Sequence, residues 1–530
     1  MFVRTKKHPY SDKFTVLICH SHRYGQAVVQ HVICRIGTSN KSQEILDMQK
    51  IASEKLAKLK QANYKPPKDE SIEMPNIKNI REMSRANTGV NDILGTLYDD
   101  LGFNNILDSK NKEVLKAVVL ARFLEPSSKS KASSILEKKF QLDISVDRIY
   151  RMMDELQDHD EAVRNQVFKS TIAVTNSIDL MFFDVTTLHF ETTDEDELRK
   201  FGFSKNFRFN TTQVVLALAT TNTGLPVGFK LFPGNTAEVN TLITCINEWR
   251  KSIAIDNTIV VGDRAMMSQN NLQQLEACGM QYIIAYPMRK ASKTLQQEIL
   301  SDADYNAGIM DNEFFWKKEI TVEQDKRLVI TYSSKRHKHD QKEREKLIKR
   351  IKTKLGKSKS TKQLISNKGY IKYVTVNGQS TSEVNEEKIA KDAAWDGLHG
   401  ILTNSNLSIE EILLRYKNLW VIEESFRINK HSLKMRPIYH FAPKRILAHI
   451  LICFLTFALA RQAQHKLKEH GCFVSVDILR EELMEVQHSI LSDQETGALF
   501  KMPSYMTENV KNIYTIFGKE KDLSIQRYIN

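Results

Sequence analysis

Residues 178–287 contain a succession of apolar and amphipathic segments that few folds can accommodate. Three apolar segments rich in β-branched and aromatic residues come first, and each predicts a strand. Two segments with apolar residues every three or four positions follow, each ahead of a further strand, and they predict helices. The segments read LMFFDVTTLHFE, QVVLALATT, LPVGFKLFPG, VNTLITCINEWRKS, NTIVVGD, SQNNLQQLEACG and QYIIAYP.

The connections between these segments predict how the strands pair. The short NTGLP turn between the second and third strands implies an antiparallel start. Helical crossovers ahead of the fourth and fifth strands imply that these pair in parallel. This is the order of a ribonuclease H-like core, an α/β fold with a mixed five-stranded sheet and helices. In that order the first and fourth strands are neighbours.

Patterns outside this core divide the rest of the 530-residue chain. Two β-like stretches near the start predict a hairpin, and the next hundred or so residues have helical periodicity. The expected units are an N-terminal β-hairpin, helix and linker (1–76), a helical, DNA-binding domain (77–177), the first part of the core (178–287), a β-rich insertion with a basic arm (288–395), the second part of the core with a Glu-bearing helix (396–465) and a C-terminal helical region (466–530).

Much of the net charge of +13 lies in one segment. Lys335–Lys362 contains 13 Lys or Arg and 3 Asp or Glu, hence a net charge of +10. This concentration favours a polyanionic partner, nucleic acid first, and the alternative is a solvated basic helix or loop. The candidate DNA contacts in it are Lys335, Arg336, Lys349 and Arg350.

Other features bear on location and redox chemistry. No run of about 18 uncharged apolar residues occurs, so no membrane span is expected. The nearest candidate, Ile446–Ala460, is flanked by Arg445 and Arg461, which favours a buried core helix. The start of the chain lacks an apolar signal-peptide segment, so we expect a protein that stays inside the cell. Six dispersed cysteines without a C-x-x-C pair indicate reduced thiols.

Two aspartates lie on predicted strands that should be neighbours. Asp184 lies among Phe and Met side chains, where an unpaired carboxylate is costly to bury and a bound cation removes the cost. Asp263 closes the fourth strand, where α/β sheets place their ligands. Asp184 could instead pair locally with Thr186 or Thr187, and Asp263 could be an ordinary turn residue after Gly262. Neighbouring strands would bring the two carboxylates together.

A third carboxylate lies on a predicted long helix, SIEEILLRYKNLWVIEESFRINKHSL, whose start has a possible capping box of Ser408 and Glu411. Tyr416, Glu423 and Lys430 are seven residues apart, so on one continuous helix they share nearly one face. Such a stripe could hold a metal ion and DNA phosphates together.

The same helix leaves alternatives open. Arg427 follows Glu423 by four residues and could share its face. Glu424 is an adjacent alternative ligand that points about 100° away. The plainer interpretation of the whole segment is an amphipathic surface helix with an ion pair.

Three segments, DVTT, VVGDRAMMS and Y-x2-L-W-x-I-E-x-x-F-R-x-x-K, resemble in order the motifs of bacterial insertion-sequence DDE transposases. The closest resemblance is to the subgroup whose third motif is called YREK. Tyr416, Glu423 and Lys430 match that motif, but Leu419 stands where the pattern has Arg. Arg427 or Arg415 could replace the missing phosphate contact.

The resemblance implies a mechanism and its partners. Asp184, Asp263 and Glu423 would bind two Mg²⁺ ions, with Mn²⁺ able to substitute, and the enzyme would cleave DNA at the element ends and join the 3′-hydroxyls to target DNA. Tyr416 and Lys430 would contact phosphates. The implied partners are double-stranded DNA, as terminal inverted repeats and target, and a second subunit in a homodimeric synaptic complex in the bacterial cytoplasm, at the nucleoid.

The resemblance also leaves open the role of one tryptophan and the class of the protein. Some relatives stack a flipped base on a Trp of the insertion, and Trp395 could serve here or pack in the core. Trp420, between the motif residues, is expected in the core. The alternatives to a transposase are a ribonuclease H-like endonuclease without strand transfer and a catalytically silent DNA-binding protein of transposase descent.

Overall fold

The computed structural model describes most of the chain. Two predicted features fall outside it: the proline-containing linker at 62–76 and the last five residues of the basic segment, 358–362. The described residues are 1–7, 12–24, 27–61, 79–108, 110–203, 210–251, 258–310, 313–323, 325–357, 373–377 and 381–528.

The N-terminal unit is a small antiparallel sheet with a helix on it. The expected hairpin gains a third strand, because the first residues of the chain pair with its first long strand. Its core is formed by Val16, Ile18 and Ala52. The elements are β1 (Phe2–Lys7), β2 (Phe14–Tyr24), β3 (Ala27–Ser39) and α1 (Ser42–Gln61).

The next region is mainly helical, as its periodicity predicts. A strand precedes the helices, and a short π-helix, Asn91–Gly95, leads into the first of them. Ser128 and Ser145 cap two helices by accepting backbone N–H groups through their side chains. The elements are β4 (Ile80–Asn87), α2 (Thr96–Asp100), α3 (Asn111–Leu124), α4 (Lys129–Phe140), α5 (Val146–Leu156) and α6 (Asp160–Thr175).

The following segment has the predicted order of strands and helices. The first strand pairs antiparallel with the second and the second with the third. The first also pairs in parallel with the fourth, and the fourth with the fifth. The predicted neighbours are therefore confirmed. The elements are β5 (Leu180–His189), β6 (Gln213–Thr221), β7 (Pro226–Pro233), α7 (Thr241–Trp249), β8 (Ile259–Gly262), α8 (Gln269–Ala277) and β9 (Gln281–Ala285).

The region expected to be a β-rich insertion extends the same sheet. Four antiparallel strands continue it beyond β9, so the described sheet has nine strands in the order β10-β11-β12-β15-β9-β8-β5-β6-β7. The described part of the basic segment forms one long helix, α10, between β12 and a small separate hairpin. The elements are α9 (Lys293–Leu300), β10 (Asn306–Met310), β11 (Glu313–Glu323), β12 (Lys326–Tyr332), α10 (Ser334–Lys357), β13 (Val374–Asn377), β14 (Thr381–Val384), α11 (Glu386–Ala393) and β15 (Leu398–Thr403).

The predicted motif helix is two helices, α12 (Ile409–Lys417) and α13 (Trp420–Arg427), followed by a π-helix, Ile428–Ser432. A long apolar helix, α14 (Pro443–Glu469), comes next. Of the helices in the described part of the chain, α14 is the one long and apolar enough to span a bilayer, yet 94% of its most apolar stretch is buried inside the protein. It is the core helix that the flanking arginines predict.

The C-terminal region is only partly helical, so its prediction as a helical region was wrong. Three of its strands join β4 in a four-stranded sheet of order β18-β17-β16-β4, in which β16 pairs directly with β4. The strands are short and one pairs over only two residues, so their sequence periodicity is weak and the long-range partner β4 decides their structure. The elements are α15 (Val476–Glu485), β16 (Gln487–Asp493), β17 (Leu499–Pro503), α16 (Glu508–Ile516) and β18 (Gln526–Arg527).

Two apolar cores lie on the two faces of the large sheet. Alternate residues of β5 enter different cores, because successive side chains of a strand point to opposite faces. Leu180, Phe182 and Leu188 join the core that contains α14 and α13. Met181 and Phe183 join the core that contains α7 and α8.

Candidate active site

Asp184 and Asp263 are brought side by side by strand register. β5 and β8 pair in parallel with Phe183 opposite Gly262, so the next residues on the two strands are these aspartates. Neighbouring strands lie about 4.8 Å apart. The backbone of Asp263 stays extended just beyond the strand, with φ −79° and ψ 178°. The two aspartates thus directly follow the last paired residues of the two strands.

The two carboxylates also point to the same face of the sheet. On β8, Ile259 and Val261 enter the core beneath α13 and α14. Asp263 lies two residues after Val261, and Asp184 lies two residues after Phe182, which enters that core too. Because side chains alternate along a strand, both aspartates face the side of the sheet where the motif helices pack. Both are half-buried.

Each aspartate side chain also accepts a hydrogen bond from a nearby backbone N–H group. Asp263 Oδ1 accepts the N–H of Ala265 at 2.7 Å and so caps a short 3₁₀ turn, as the turn interpretation predicts. Asp184 Oδ1 accepts the N–H of Val185 at 2.7 Å. Each of these bonds is made by one carboxylate oxygen. The turn role and a ligand role are compatible, since a carboxylate has two oxygens with several acceptor positions.

The predicted continuous helix through the motif is wrong. Asn418 and Leu419 form a turn between α12 and α13, where Leu419 N–H donates to Tyr416 O at 3.0 Å and Val421 N–H to Asn418 O at 3.0 Å. These bonds span three residues rather than four, which tightens the chain locally. Tyr416 and Glu423 therefore lie on different helices, and the seven-residue spacing does not by itself align them. Asn has weak helix propensity, but its presence predicts no break.

The Tyr416 phenol nevertheless interacts electrostatically with two of the candidate carboxylates. Burial raises the pKa of Tyr416 to about 12, and the charges of Asp263 and Glu423 act in the same direction. Arg336 and Arg264 act on the Tyr416 pKa in the opposite direction. α13 packs on β5 and β6, which carries Glu423 over the sheet face of the aspartates. The Glu423 side chain is exposed.

The donor set suits a hard divalent cation, because Mg²⁺ and Mn²⁺ prefer carboxylate oxygens. The strands bring two donors together, Asp184 and Asp263. Among the residues that the structure describes, however, no three His, Cys, Asp or Glu side chains form a group that could hold a metal ion. The aspartate pair therefore suits a divalent cation, but in this arrangement Glu423 does not join it as a third ligand.

The neighbour of Glu423 has a different environment. Glu424 forms an ion pair with Arg461 of α14, with 3.3 Å between Oε2 and Nη1. Arg461 is buried and also donates to the carbonyl oxygens of Gly224 and Thr223, at 3.0 and 2.7 Å. Burial lowers the Arg461 pKa and Glu424 opposes the shift. Glu424 thus balances a buried charge at the β6–β7 turn, which separates its role from that of Glu423.

The two predicted cations on the motif helices go to different places. Lys430 donates to the hydroxyl of Thr186, two residues after Asp184 on the same strand face. The Lys430 ammonium also lies 5.6 Å from the centre of the Phe426 ring. Arg427 has a side chain that is 70% exposed and pairs with Glu424 at 3.5 Å. The structure therefore brings Lys430 to the aspartate strand and directs Arg427 to Glu424.

The structure decides between the two alternatives for Trp395 and contradicts the expectation for Trp420. Trp395, the candidate for base stacking, is only 9% exposed and belongs to the core beside α7 and α8. The structure therefore supports the alternative in which Trp395 packs in the core. Trp420, expected in the core, is 54% exposed and precedes Glu423 by three residues. The break at Asn418–Leu419 turns α13 relative to α12, which helical periodicity over the whole segment could not reveal.

The predicted contacts on α10 divide between its ends. Lys335 pairs with Glu313 at 2.9 Å, and Arg336 Nε lies 3.8 Å from Asp340. Lys349 and Arg350 are exposed near the other end, about 20 Å further along the helix.

One residue near the site was missed by sequence reasoning. The His399 ring on β15 lies 5.1 Å from the Tyr416 ring, at an angle of 47°. Burial, and then the charge of Arg336, lower the His399 pKa to about 4, so this imidazole is neutral near pH 7. His399 stands on a strand that only the full sheet order places next to the motif helices, and no sequence motif identifies it.

Comparison with known proteins gives one family match. The family model described as "Transposase DDE domain" matches residues 175–459, more than half of the 530-residue chain. No curated protein matches the sequence significantly.

Among solved structures, a piggyBac transposase synaptic complex with hairpin DNA is 9% identical, with a TM-score of 0.39 and coverage of 75% of this chain and 76% of that one. A Mos1 transposase paired-end complex with left transposon end is 10% identical, with a TM-score of 0.15 and coverage of 44% of this chain and 66% of that one. A pre-cleavage Mos1 transpososome is also 10% identical, with a TM-score of 0.15 and coverage of 44% and 67%.

Proposed function

Because the chain belongs to the family of transposase DDE domains, we propose that this DNA transposase binds the ends of an insertion sequence, cleaves phosphodiester bonds there and joins the 3′-hydroxyl ends to target DNA. The observation that carries the proposal is the aspartate pair. Asp184 and Asp263 directly follow the last paired residues of the adjoining parallel strands β5 and β8, and both face the motif helices. Both lie within the residues matched by the family model.

We further propose that strands β5 to β9 and their helices form a ribonuclease H-like core. Their order in space is third, second, first, fourth and fifth. The first three pair antiparallel with one another in turn, whereas the fourth pairs in parallel with both the first and the fifth. The strands β10 to β12 and helix α10 are then an insertion that extends the core sheet. The expected domain boundaries remain part of this proposal.

DDE transposases generally use divalent metal ions, and here Asp184, Asp263 and Glu423 would hold them. When bound, Mg²⁺ or Mn²⁺ would activate the attacking oxygen and stabilise the charge on the leaving one. Glu423 would join the two aspartates once DNA and metal are bound. The short helix α13, with a turn before it and a π-helix after it, is the element that would move.

The surrounding side chains would hold the DNA. Lys430 already reaches the aspartate strand through Thr186, so its ammonium can bind a phosphate close to the carboxylates. Tyr416 keeps its phenolic proton near pH 7, since burial and the adjacent carboxylates raise its pKa, and it can donate that proton to a phosphate oxygen. Trp420 is exposed one turn before Glu423 and can stack an unpaired base.

The motif residues suggest the subgroup of transposases to which the protein belongs. We propose that the protein is encoded by a bacterial insertion sequence of the YREK subgroup and acts as a homodimer on two DNA ends. The Arg position of the motif is Leu419, a half-buried residue that packs against the core. The subgroup assignment rests on Tyr416, Glu423 and Lys430.

An excision assay tests the proposed function. The natural DNA on both sides of the reading frame is cloned around a marker, and the protein is supplied from a second plasmid. We expect loss of the marker from the plasmid and its insertion elsewhere. The inserted DNA should be bounded by inverted repeats, with short direct duplications of the target just outside them. Excision without insertion would favour a nuclease, and binding of the flanks without excision would favour a silent DNA-binding protein.

A further inference from the structure

One end of the basic helix α10 is fixed to the rest of the protein. Ser333, just before the helix, donates its N–H to Gly397 O at 3.1 Å, and Asp340 accepts the N–H of Gly397 at 3.1 Å. Arg344 forms an ion pair with Asp396, whose side chain is 2% exposed. These contacts involve the residue before the helix and the first three turns, so the start of the helix is held against the segment that leads into β15.

The approach is too close for any other residue at position 397. Gly397 has φ +79°, and a Cβ there would meet Tyr332, His337 and the carbonyl oxygen of Ser333 at 2.8 to 2.9 Å. A side chain would push the first turn of α10 away from β15. The start of the basic helix is therefore positioned by close backbone approach.

This anchored turn lies next to the candidate site. His399 follows Gly397 by two residues on β15, pairs with Thr331 of β12, and contacts the Tyr416 ring. Arg336 is in the first turn of α10, and its charge lowers the pKa of both His399 and Tyr416. The helix start, the strand and the phenol thus form one continuous group.

The Arg336 side chain is available for an anion. It is 51% exposed, and its nearest acid is Asp340 at 3.8 Å, a surface pair that contributes little. Of the two other arginines considered for the missing motif cation, Arg427 pairs with Glu424. The charge of Arg415 contributes to lowering the pKa of Glu411 at the start of α12.

We propose that Arg336 binds a DNA phosphate at the active site and supplies, from the basic helix, the cation that Leu419 does not provide. A guanidinium can bind two phosphate oxygens at once and would offset the repulsion between the phosphodiester and the carboxylates. This inference rests on the proposed function. It gives α10 two roles: Arg336 at the anchored end acts on the reacting DNA, and Lys349 and Arg350 at the other end bind flanking DNA.

The test separates binding from the chemical step. Single-turnover cleavage of a DNA end is measured at saturating protein for wild type, Arg336→Ala, Arg336→Lys and Lys338→Ala. Lys338 is the matched control, since it is an exposed cation two residues along the same turn that points about 200° away. We expect Arg336→Ala to cleave about 100-fold more slowly at saturation, as when one charge-stabilising donor is removed. Arg336→Lys should cleave faster than Arg336→Ala but more slowly than wild type. Lys338→Ala should cleave at the wild-type rate.

A cleavage rate of Arg336→Ala equal to that of Lys338→Ala would overturn the proposal. If the wild-type protein cleaves no DNA, that result counts against the proposed function and not against the Arg336 contact. The contact is then tested by a binding measurement. In a series of DNA ends, a neutral methylphosphonate replaces one phosphate near the cleavage point at a time. We expect the replacement at one position to weaken the binding of wild type and Lys338→Ala but not of Arg336→Ala. Equal sensitivity of all three proteins at every position would contradict a contact from Arg336.

Discussion

The carboxylates of the proposed site are positioned by two different kinds of structure. Asp184 and Asp263 are held by backbone hydrogen bonds between β5 and β8, with both strands inside a nine-stranded sheet. Glu423 is held by the packing of the eight-residue helix α13 on that sheet. Strand register fixes neighbours closely, whereas a short helix between a turn and a π-helix can shift as a unit. The pair is preformed, and the third carboxylate is the adjustable member.

This comparison predicts the largest effect for the aspartate pair. Asp184→Asn and Asp263→Asn should each lower the cleavage rate by at least about 1,000-fold, because metal-assisted charge stabilisation contributes several kcal/mol. Binding of the DNA end should change little, since neither residue is assigned to DNA binding. Rates are measured with Mg²⁺ and after its removal by a chelator. Cleavage by either variant at more than a tenth of the wild-type rate would remove that aspartate from the site.

The adjacent glutamates provide the sharpest comparison on the helix. Glu423→Gln should lower cleavage as strongly as the aspartate variants and leave thermal stability unchanged, since its side chain is exposed. Glu424→Gln should keep cleavage within a few-fold of wild type. It should instead lower the free energy of unfolding by about 1–3 kcal/mol, because Arg461 is left without a charged partner. The reversed pattern would make Glu424 the metal ligand.

The sequence predicts the pair better than the third member for the same structural reason. The strand order follows from local patterns and connection lengths, so the neighbouring positions of Asp184 and Asp263 could be predicted. The position of Glu423 depended on a continuous helix, and the turn at Asn418–Leu419 is decided by packing on the sheet. A capping box at Ser408 and Glu411, which depends on local sequence alone, was predicted and is present.

Features set by long-range contacts were not predictable. The C-terminal strand β16 pairs with β4, some 400 residues earlier, and the other C-terminal strands extend from it. His399 and Arg336 approach Tyr416 only because β12 and β15 extend the central sheet. No periodicity or spacing in the sequence links these positions.

The two tryptophans extend the comparison to DNA recognition. Trp420→Ala should weaken binding of DNA with an unpaired base at the cleavage point by about 1–3 kcal/mol, the usual contribution of base stacking. Fully paired DNA should bind as before and thermal stability should be unaffected. Trp395→Ala should lower the free energy of unfolding by about 3–5 kcal/mol, because it leaves a cavity in the core. Equal binding of both DNAs by Trp420→Ala would exclude stacking.

The smallest effect is expected at the far end of α10. Lys349→Gln combined with Arg350→Gln should reduce the slope of log affinity against log salt concentration by about 1.8, because each phosphate that is no longer neutralised by a cation reduces it by about 0.9. The cleavage rate at saturating protein should fall by less than that of Arg336→Ala. The measurement is a binding titration over a series of salt concentrations. An unchanged slope would make this end of the helix a solvated surface.

Metal binding by the three carboxylates can be measured directly as manganese uptake by the protein bound to a DNA end, from the loss of the free Mn²⁺ signal in electron paramagnetic resonance. We predict that the wild-type complex and Glu424→Gln take up Mn²⁺, and that Asp184→Asn, Asp263→Asn and Glu423→Gln each lose all or part of that uptake. Equal uptake and affinity in wild type and these three variants would contradict a metal site built from a strand-held pair and a helix-borne third carboxylate.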